Sequence, residues 1–492
     1  MKIDLASRKR SDGIAGRHVL PWLGLLFAGA ASLGIWFLIK PTLGPDPYYR
    51  VGYNSSTTEY SFQILLLFVP YALALIAWRR GSRIPLWVLL AGAVALHLLV
   101  LFAPLPQSQD FYQYLFYGRM QVVHHANPYL VQPRVFWSDP WFPWAQWHGQ
   151  TSVYGPVWSL LSAGAVRAAG NSLPVAFFTF KLVVFSLDMA IIAMLVRIAR
   201  HRPDPEGSAG WGLLAYAWNP LVLITVPLAG AADVAVAAAL LGGLLARKRG
   251  RMGLATVLLT LAPLVKIYAA VGLLLHLVLL ARQRGWKEAA RHSALATGVA
   301  GLLYLPYWAG VRTFGGIMQA TGLTNESLTG TLQRLLIPVV HGLGFASPHL
   351  TNHVVRVIST AALLAALVYV VTKVRDERTL WELTVLGMAA YLYLTPWFSY
   401  WYMVGPLALI AAMPRNRLTF PMLTFSASVF TVLWVPGRLV DWVAQTAIRY
   451  VPPVAVFLRW KPERHARGSA HSTVPVGVPA GTAITQRASA AK

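Results

Sequence analysis

Apolar stretches of roughly 18 or more residues recur from residue 19 to residue 458, separated by short polar gaps. About 20 apolar residues are what an α-helix needs to cross the hydrocarbon core of a bilayer. The pattern therefore predicts an all-α polytopic integral membrane protein of about 12 to 14 transmembrane helices. The predicted spans are 19–40, 60–78, 84–104, 174–198, two within 211–247, two short ones within 252–281, 294–309, 353–372, 380–396, 402–413, 419–436 and 440–458.

Composition and the placement of charge agree with this interpretation. Of the 492 residues 12% are charged and 56% are hydrophobic, with a mean hydropathy of +0.53, whereas soluble domains carry about a quarter charged residues. The net charge of +25 comes from basic clusters in the short gaps between predicted spans. This positive-inside pattern predicts a multi-pass membrane protein with both termini cytoplasmic, and it argues against a nucleic-acid partner. The chain has no cysteine, which excludes disulfides and thiol chemistry.

With the basic gaps inside, two long polar stretches, about 105–154 and 310–352, are predicted to be extracytoplasmic. Residues 155–172 are predicted to form a partial or re-entrant helix, because a full span there would put three basic gaps outside. Residues 1–460 are predicted to form a single transmembrane domain. Residues 461–492, rich in Ala, Ser, Thr and Gly, are predicted to be a disordered cytoplasmic tail.

Carboxylates are scarce in this chain. It contains 17 Asp and Glu residues, so chemistry that needs a carboxylate base on the outer face draws on a short set. Asp110 is the strongest candidate, because it follows the third predicted span, where low dielectric and nearby basic groups tune a carboxylate. If 109–119 is helical, Asp110, Tyr114 and Tyr117 share one face. The alternative is a solvated acid that caps a helix.

Two charged residues interrupt apolar segments. Lys266 is a lone cation within about 30 apolar residues and needs an acid, a carbonyl or a bound anion such as a phosphate. The alternative is a snorkelling lysine or a structural partner of Asp233. Asp233 lies near the predicted outer turn of 211–247, where it is either functional or merely in contact with water.

The outer stretches contain weaker signals. His124 and His125 either orient an acceptor hydroxyl or are plain loop histidines, and with Asp139 they lack the spacing of a metal site. Asn325 and Glu326 suggest ligand contact in the second outer stretch. A row of tryptophans fits either sugar stacking or an interfacial aromatic belt. The row comprises Trp137, Trp141, Trp144 and Trp147.

Several short motifs follow one another between about residues 100 and 410. They are Asp110-x-x-x-Tyr114, Gly118-Arg119, Asn127-Pro128-Tyr129, Tyr154-Gly155-Pro156, Asn219-Pro220 followed by Gly230 and Asp233, Lys266, Asn325-x-Ser327, and Pro396-Trp397 with Trp401-Tyr402. In this order the motifs resemble the bacterial polyprenyl-phosphate-mannose-dependent mannosyltransferases, membrane enzymes of the GT-C superfamily and of glycosyltransferase family 87 type. The chain departs from them in two extra predicted spans before the Asp and in the turn Gly-Ala-Ala-Asp that ends at Asp233.

The resemblance implies a GT-C-like fold in the plasma (inner) membrane, whose extracytoplasmic loops form the roof of the active site. It implies inverting transfer of a sugar, with mannose preferred, from a polyprenyl phosphate to a lipid or polysaccharide acceptor, with no cofactor and no metal. Asp110 would be the base, and Lys266 and Arg119 would bind the donor phosphate. The predicted sugar and acceptor contacts are Tyr114, Tyr117, His124, His125, Asn127, Tyr129, Tyr154, Asp233, Asn325, Glu326, Trp401 and Tyr402. A flippase or transporter of lipid-linked sugars is the alternative, disfavoured by the absence of an internal repeat.

Overall fold

The computed structural model describes residues 20–39, 55–101, 110–320, 323–325, 327–343, 348–430 and 439–459. These residues form helices and loops, with no strand beyond one isolated bridge between Ala309 and Val311. Glu326 and the predicted tail at 461–492 lie outside the described residues. The α-helices are α1 (Leu20–Ile39), α2 (Ser55–Arg79), α3 (Leu86–Leu101), α4 (Asp110–Val122), α5 (Pro156–Ala169), α6 (Leu173–Ala199), α7 (Pro205–Ala215), α8 (Pro220–Leu223), α9 (Asp233–Lys248), α10 (Met252–Leu261), α11 (Ala270–Arg284), α12 (Trp286–Tyr304), α13 (Gly315–Ala320), α14 (Leu328–Gly342), α15 (Pro348–Lys373), α16 (Glu377–Leu394), α17 (Val404–Ala412), α18 (Thr419–Ser428) and α19 (Leu439–Arg459).

Several of these helices are suited to a membrane. Within the described residues, three are by length and composition long and apolar enough to cross a bilayer: Leu173–Ala199, Ile267–Arg284 and Leu350–Lys373. Two further helix pairs, bent by 57° and 93° at a short break, raise the number to five if each pair is one span. Shorter apolar helices accompany them. The prediction of an all-α polytopic membrane protein is confirmed, whereas the number of spans and their sidedness stay predictions.

Local chemistry sets the helix boundaries. α6 begins after Ser172, whose side chain accepts the backbone N–H of Val175. α16 begins with a capping box between Asp376 and Thr379. α5 begins with Pro156 in its first turn, where a missing N–H costs no hydrogen bond. α5 has 14 residues, fewer than the about 20 that a full crossing needs, in keeping with the predicted partial helix.

Two breaks in the helices lie where the polar residues gather. α8 continues as a π-helical turn, Ile224–Leu228, and the chain then reverses at Gly230, whose φ of 67° favours glycine. The two predicted short helices within 252–281 are observed as α10 and α11, and Lys266 lies in the break between them. Irregular backbone at membrane depth is tolerated where protein surrounds it.

Buried ion and hydrogen-bond pairs join the helices away from these breaks. Asp188 accepts from the His97 ring at 2.5 Å and from the Tyr216 hydroxyl at 3.0 Å, linking α6 to α3 and to the end of α7. Lys181 donates to the Leu101 carbonyl at 2.8 Å, at the end of α3. Asp188 and Lys181, seven residues apart on α6, therefore serve helix packing through separate partners.

Candidate active site

Asp110 is the first residue of α4, and its carboxylate is held by two uncharged donors. The indole N–H of Trp147 donates to Oδ1 at 2.8 Å, and the hydroxyl of Tyr154 lies 3.4 Å from Oδ2. Tyr114, one turn along α4, packs edge-on against the Tyr154 ring at 4.8 Å. The predicted shared face of Asp110 and Tyr114 is therefore present, with Tyr154 completing it.

The surroundings make Asp110 a stronger base than an exposed aspartate. Burial raises the pKa of the Asp110 carboxyl above its ordinary value, because the charged form loses solvation. The hydrogen bond from Trp147 and the charge of Lys266 oppose this rise in the pKa without cancelling it. A carboxylate with a raised pKa accepts a proton more readily at neutral pH.

Lys266 projects into a cage of aromatic rings. Its ammonium lies 4.7 Å from the ring centre of Tyr402, 5.6 Å from that of Tyr154 and 5.9 Å from that of Trp401. The side chain is 9% exposed. Among the described residues, Asp233 is the one oxygen acceptor of the ammonium, at 2.6 Å. An ammonium has three N–H donors; Asp233 accepts one of them, and around the other two the described residues supply aromatic rings rather than oxygen acceptors.

Asp233 begins α9 and is fully buried. Its Oδ2 accepts from Lys266, and its Oδ1 accepts from the Tyr268 hydroxyl at 2.5 Å. Tyr268 in turn stacks on Tyr391, with ring centres 5.5 Å apart. The alternative in which Lys266 is a structural partner of Asp233 is thus observed, and it leaves two N–H groups of Lys266 available to a ligand.

Two glycines let these segments converge. The backbone N–H of Gly155 donates to the Val265 carbonyl at 3.0 Å, and a Cβ on Gly155 would lie 2.1 Å from the Leu264 carbonyl oxygen. A Cβ on Gly230 would lie 2.3 Å from the ring of Phe111. The first contact joins Tyr154 to the Lys266 loop, and the second joins the turn before Asp233 to the start of α4.

Arg119 lies away from this cluster. Its Nε donates to both carboxylate oxygens of Asp139, at 2.8 and 2.7 Å, and Nη1 donates to Asn171. The guanidinium also lies over the Trp141 ring at 4.5 Å. Because its contacts commit Arg119 to the loop, the structure does not bring it to Lys266, and phosphate binding by Arg119 stays a prediction.

The two histidines differ. His124 Nε2 lies 2.8 Å from Asp139 Oδ2, and the ring stacks on Phe136 at 4.2 Å. His125 is exposed and adopts a φ of 50° in the turn after α4. Tyr117 donates to the Gln150 carbonyl at 2.9 Å. These residues shape the outer loop, and no hydrogen bond or ring contact of the described residues joins them to Lys266.

The remaining predicted contacts link the outer loops to one another and to α5. The Asn127 side chain donates to the Tyr307 carbonyl at 2.9 Å, and the Tyr129 hydroxyl lies 2.9 Å from the Ser159 hydroxyl. Asn325 accepts the backbone N–H of Phe398 at 2.9 Å. The ligand roles predicted for Asn127, Tyr129 and Asn325 are not tested by these contacts.

Three residues of the cluster were missed from the sequence. The sequence shows Trp147 as one member of an aromatic row, although it alone in that row bonds to Asp110. Tyr268, two residues after Lys266, and Tyr391 stand inside apolar segments where a tyrosine gives no sign of its partner. Among the described residues, no group of three or more His, Asp or Glu side chains could hold a metal ion.

Comparison with known proteins identifies the family. The family model described as alpha-(1->6)-mannopyranosyltransferase, N-terminal domain (MptA_B family), matches residues 22–282, more than half of the chain. The match contains Asp110, Asp233 and Lys266 but ends before Trp401. No curated protein matches the chain. The chain therefore belongs to the α-(1→6)-mannopyranosyltransferase family, whose members are membrane glycosyltransferases of the GT-C type that act on mannose.

Proposed function

We propose that the protein transfers a mannosyl group from a polyprenyl phosphate to a glycolipid or polysaccharide acceptor at the extracytoplasmic face of the plasma membrane, with inversion at the anomeric carbon. The observation that carries this proposal is the Lys266 ammonium, buried in an aromatic cage with one oxygen partner among the described residues. The two N–H donors of Lys266 that Asp233 does not use suit the oxygens of a singly charged phosphodiester. A lipid-linked donor also suits a site among apolar helices.

The reaction needs one base and one anchor for the leaving group. The acceptor oxygen bonds to the anomeric carbon, while the bond from that carbon to the phosphate oxygen breaks. The acceptor proton passes to the Asp110 carboxylate, and the polyprenyl phosphate leaves with the electron pair, stabilised by Lys266. Tyr154 reaches Asp110 with its hydroxyl and presents its ring to Lys266, so one side chain contacts both the base and the phosphate anchor.

Asp110 suits the role of base better than Asp233 does. Both oxygens of Asp233 accept hydrogen bonds, one from a full positive charge at 2.6 Å and one from Tyr268 at 2.5 Å. An ammonium partner stabilises the carboxylate and makes it a weaker base. Asp110 has neutral partners, and its contact with Tyr154 is long, at 3.4 Å.

The positions of the basic gaps support an extracytoplasmic location of the candidate active site. Asp233 begins α9, and Arg247 and Lys248 lie in its last turn. At 1.5 Å per residue the two ends of this helix are about 22 Å apart. If the basic gap is cytoplasmic, the cluster around Asp233 and Lys266 lies toward the other face.

The test uses the full chain purified in detergent, radiolabelled polyprenyl-phosphate mannose and a lipid extract as the acceptor source. We expect wild type to move label to a new product of inverted anomeric configuration. Asp110→Asn should lower this rate by at least about 100-fold, whereas Asp376→Asn, a cap that asparagine can replace, should not. The same assay in the presence of EDTA should give the wild-type rate, because we expect no metal to take part.

Three outcomes would contradict parts of the proposal. Equal rates in wild type and Asp110→Asn would remove Asp110 as the base and make Asp233, then Glu326, the next candidates. Donor binding without transfer to any acceptor fraction would favour the flippase alternative. Loss of transfer in EDTA would show that a metal takes part.

A further inference from the structure

Trp147 differs from the other tryptophans of its row. Its indole N–H donates to Asp110 Oδ1 at 2.8 Å. Trp144, by contrast, packs on an aromatic ring of α4, and Trp141 lies under the guanidinium of Arg119. A tryptophan that faces a membrane interface has no need of a carboxylate partner, so neither an aromatic belt nor a sugar platform accounts for this bond.

We propose that Trp147 is a positioning residue of the transfer reaction, whose N–H holds Oδ1 of Asp110 so that Oδ2 takes the acceptor proton. This inference rests on the proposed function, in which Asp110 is the base. The two oxygens are held unequally: Oδ1 at 2.8 Å by Trp147, and Oδ2 at 3.4 Å by Tyr154. Strong O–H···O bonds are near 2.7 Å. An acceptor hydroxyl can therefore replace Tyr154 at Oδ2 while the bond that orients the carboxylate stays in place.

Trp147 is itself held by the helix that carries the base. The side-chain carbonyl of Gln113 accepts the backbone N–H of Trp147 at 2.9 Å and that of Gln146 at 3.1 Å. Gln113 is fully buried and lies on α4, three residues after Asp110. One turn of helix thus sets both the carboxylate and the backbone of its indole partner, which limits their relative motion.

A second contact comes from the C-terminal half of the chain. The Trp147 and Trp397 rings meet edge to face, with centres 5.9 Å apart and planes at 75°. Asn325 bonds to the backbone on both sides of Trp397, at Pro396 and at Phe398. This arrangement connects the segment beyond the family-matched region to the base, and it gives Asn325 a structural task at the site.

The test compares Trp147→Phe with Trp144→Phe in the full chain. The N–H stabilises the charged form of Asp110, so its removal should raise the pKa of this base. A base works when deprotonated, so activity is lost as the pH falls below its pKa, and the midpoint of the acid limb should move to higher pH. We expect kcat to fall at least about tenfold and the midpoint to rise by about half a unit or more, with donor KM within about twofold. Trp144→Phe should change none of the three.

A second variant separates the N–H from the shape of the ring. Replacement of Trp147 by 3-benzothienylalanine keeps the fused rings and puts sulfur where tryptophan has N–H. The same loss and the same shift of the midpoint are expected. Wild-type kcat and midpoint in this variant would overturn the proposal, as would a fall in kcat with an unmoved midpoint, which indicates packing alone. If Asp110→Asn is inactive and the analogue behaves as wild type, the positioning role fails while the proposed function stands; an active Asp110→Asn makes both fail.

Discussion

Two aspartates of the first polar stretch, Asp110 and Asp139, are both bound by side chains of that same stretch, yet their partners differ in charge. Asp139 accepts from the Arg119 guanidinium with both oxygens, from His124, and from the backbone N–H of Trp141 at 2.8 Å. Asp110 accepts from an indole and, at longer range, from a phenol.

The pKa values of the two carboxyls shift in opposite directions. Burial raises the pKa of Asp110, since its neutral partners offset only part of the lost solvation. Burial acts in the same sense at Asp139, but the hydrogen bonds from Trp141, Arg119 and His124 outweigh it and lower the pKa. Asp139, whose oxygens are fully hydrogen-bonded, stabilises the structure. Asp110 keeps one weakly bonded oxygen near Lys266, a cation that is paired with another acid, and is therefore available for proton transfer.

The largest effect is expected when Lys266, the cation of the active site, is removed. Lys266→Met should weaken binding of polyprenyl-phosphate mannose by about 100-fold, because the phosphate loses its charged donor. It should also destabilise the protein by about 3–5 kcal/mol, since Asp233 is left buried without a counter-charge. Lys266→Met combined with Asp233→Asn should recover thermal stability without recovering donor binding, as measured by calorimetry and by filter binding. Recovery of both would make Lys266 a structural partner alone.

A smaller effect is expected when the two segments of the site are pushed apart. Gly155→Ala places a Cβ against the Leu264 carbonyl, and backbone atoms cannot yield as a flexible side chain does. Tyr154 and Lys266 should separate, and kcat/KM should fall about tenfold, within the range that misplacement of a site residue causes. Gly149→Ala is the matched control, because a Cβ there has no atom within 4 Å. Equal kinetics of the two variants would mean that this close approach is not needed.

The smallest effect on activity is expected when the ion pair between Arg119 and Asp139 is removed. Arg119→Met should leave donor KM and kcat within about twofold, yet lower the free energy of unfolding by about 1–3 kcal/mol, because Asp139 loses its charged donor while it keeps His124 and the N–H of Trp141. A donor KM raised tenfold would instead support the phosphate role predicted for Arg119.

The hydrogen bonds to Asp139 also lead us to expect that the stability of the protein depends on pH. The pKa of Asp139 is lower in the folded protein than in the unfolded chain, so its contribution is present at neutral pH and is lost as pH falls through the folded value. Asp139→Asn should therefore lose less of its melting temperature than wild type does on acidification below the ordinary aspartate pKa.

The sequence by itself determined the helical class and the candidates for chemistry. Apolar length and the scarcity of charge are properties of consecutive residues, so they predict membrane helices without knowledge of neighbours. The helical period placed Tyr114 on the face of Asp110, and an isolated cation in an apolar segment made Lys266 conspicuous because its burial needs a partner.

Only the tertiary structure decided which partner each charged group has. The sequence does not indicate which acid pairs with Arg119 or with Lys266. In the structure Arg119 pairs with Asp139, and Lys266 pairs with Asp233. Close approaches at Gly155 and Gly230, where the absence of a Cβ lets distant segments touch, bring the segments that carry Lys266 and Asp233 against Tyr154 and the start of α4. Trp147 was hidden for the same reason: no local period links residue 147 to residue 110, and the bond exists because the loop folds back onto the helix that begins at Asp110.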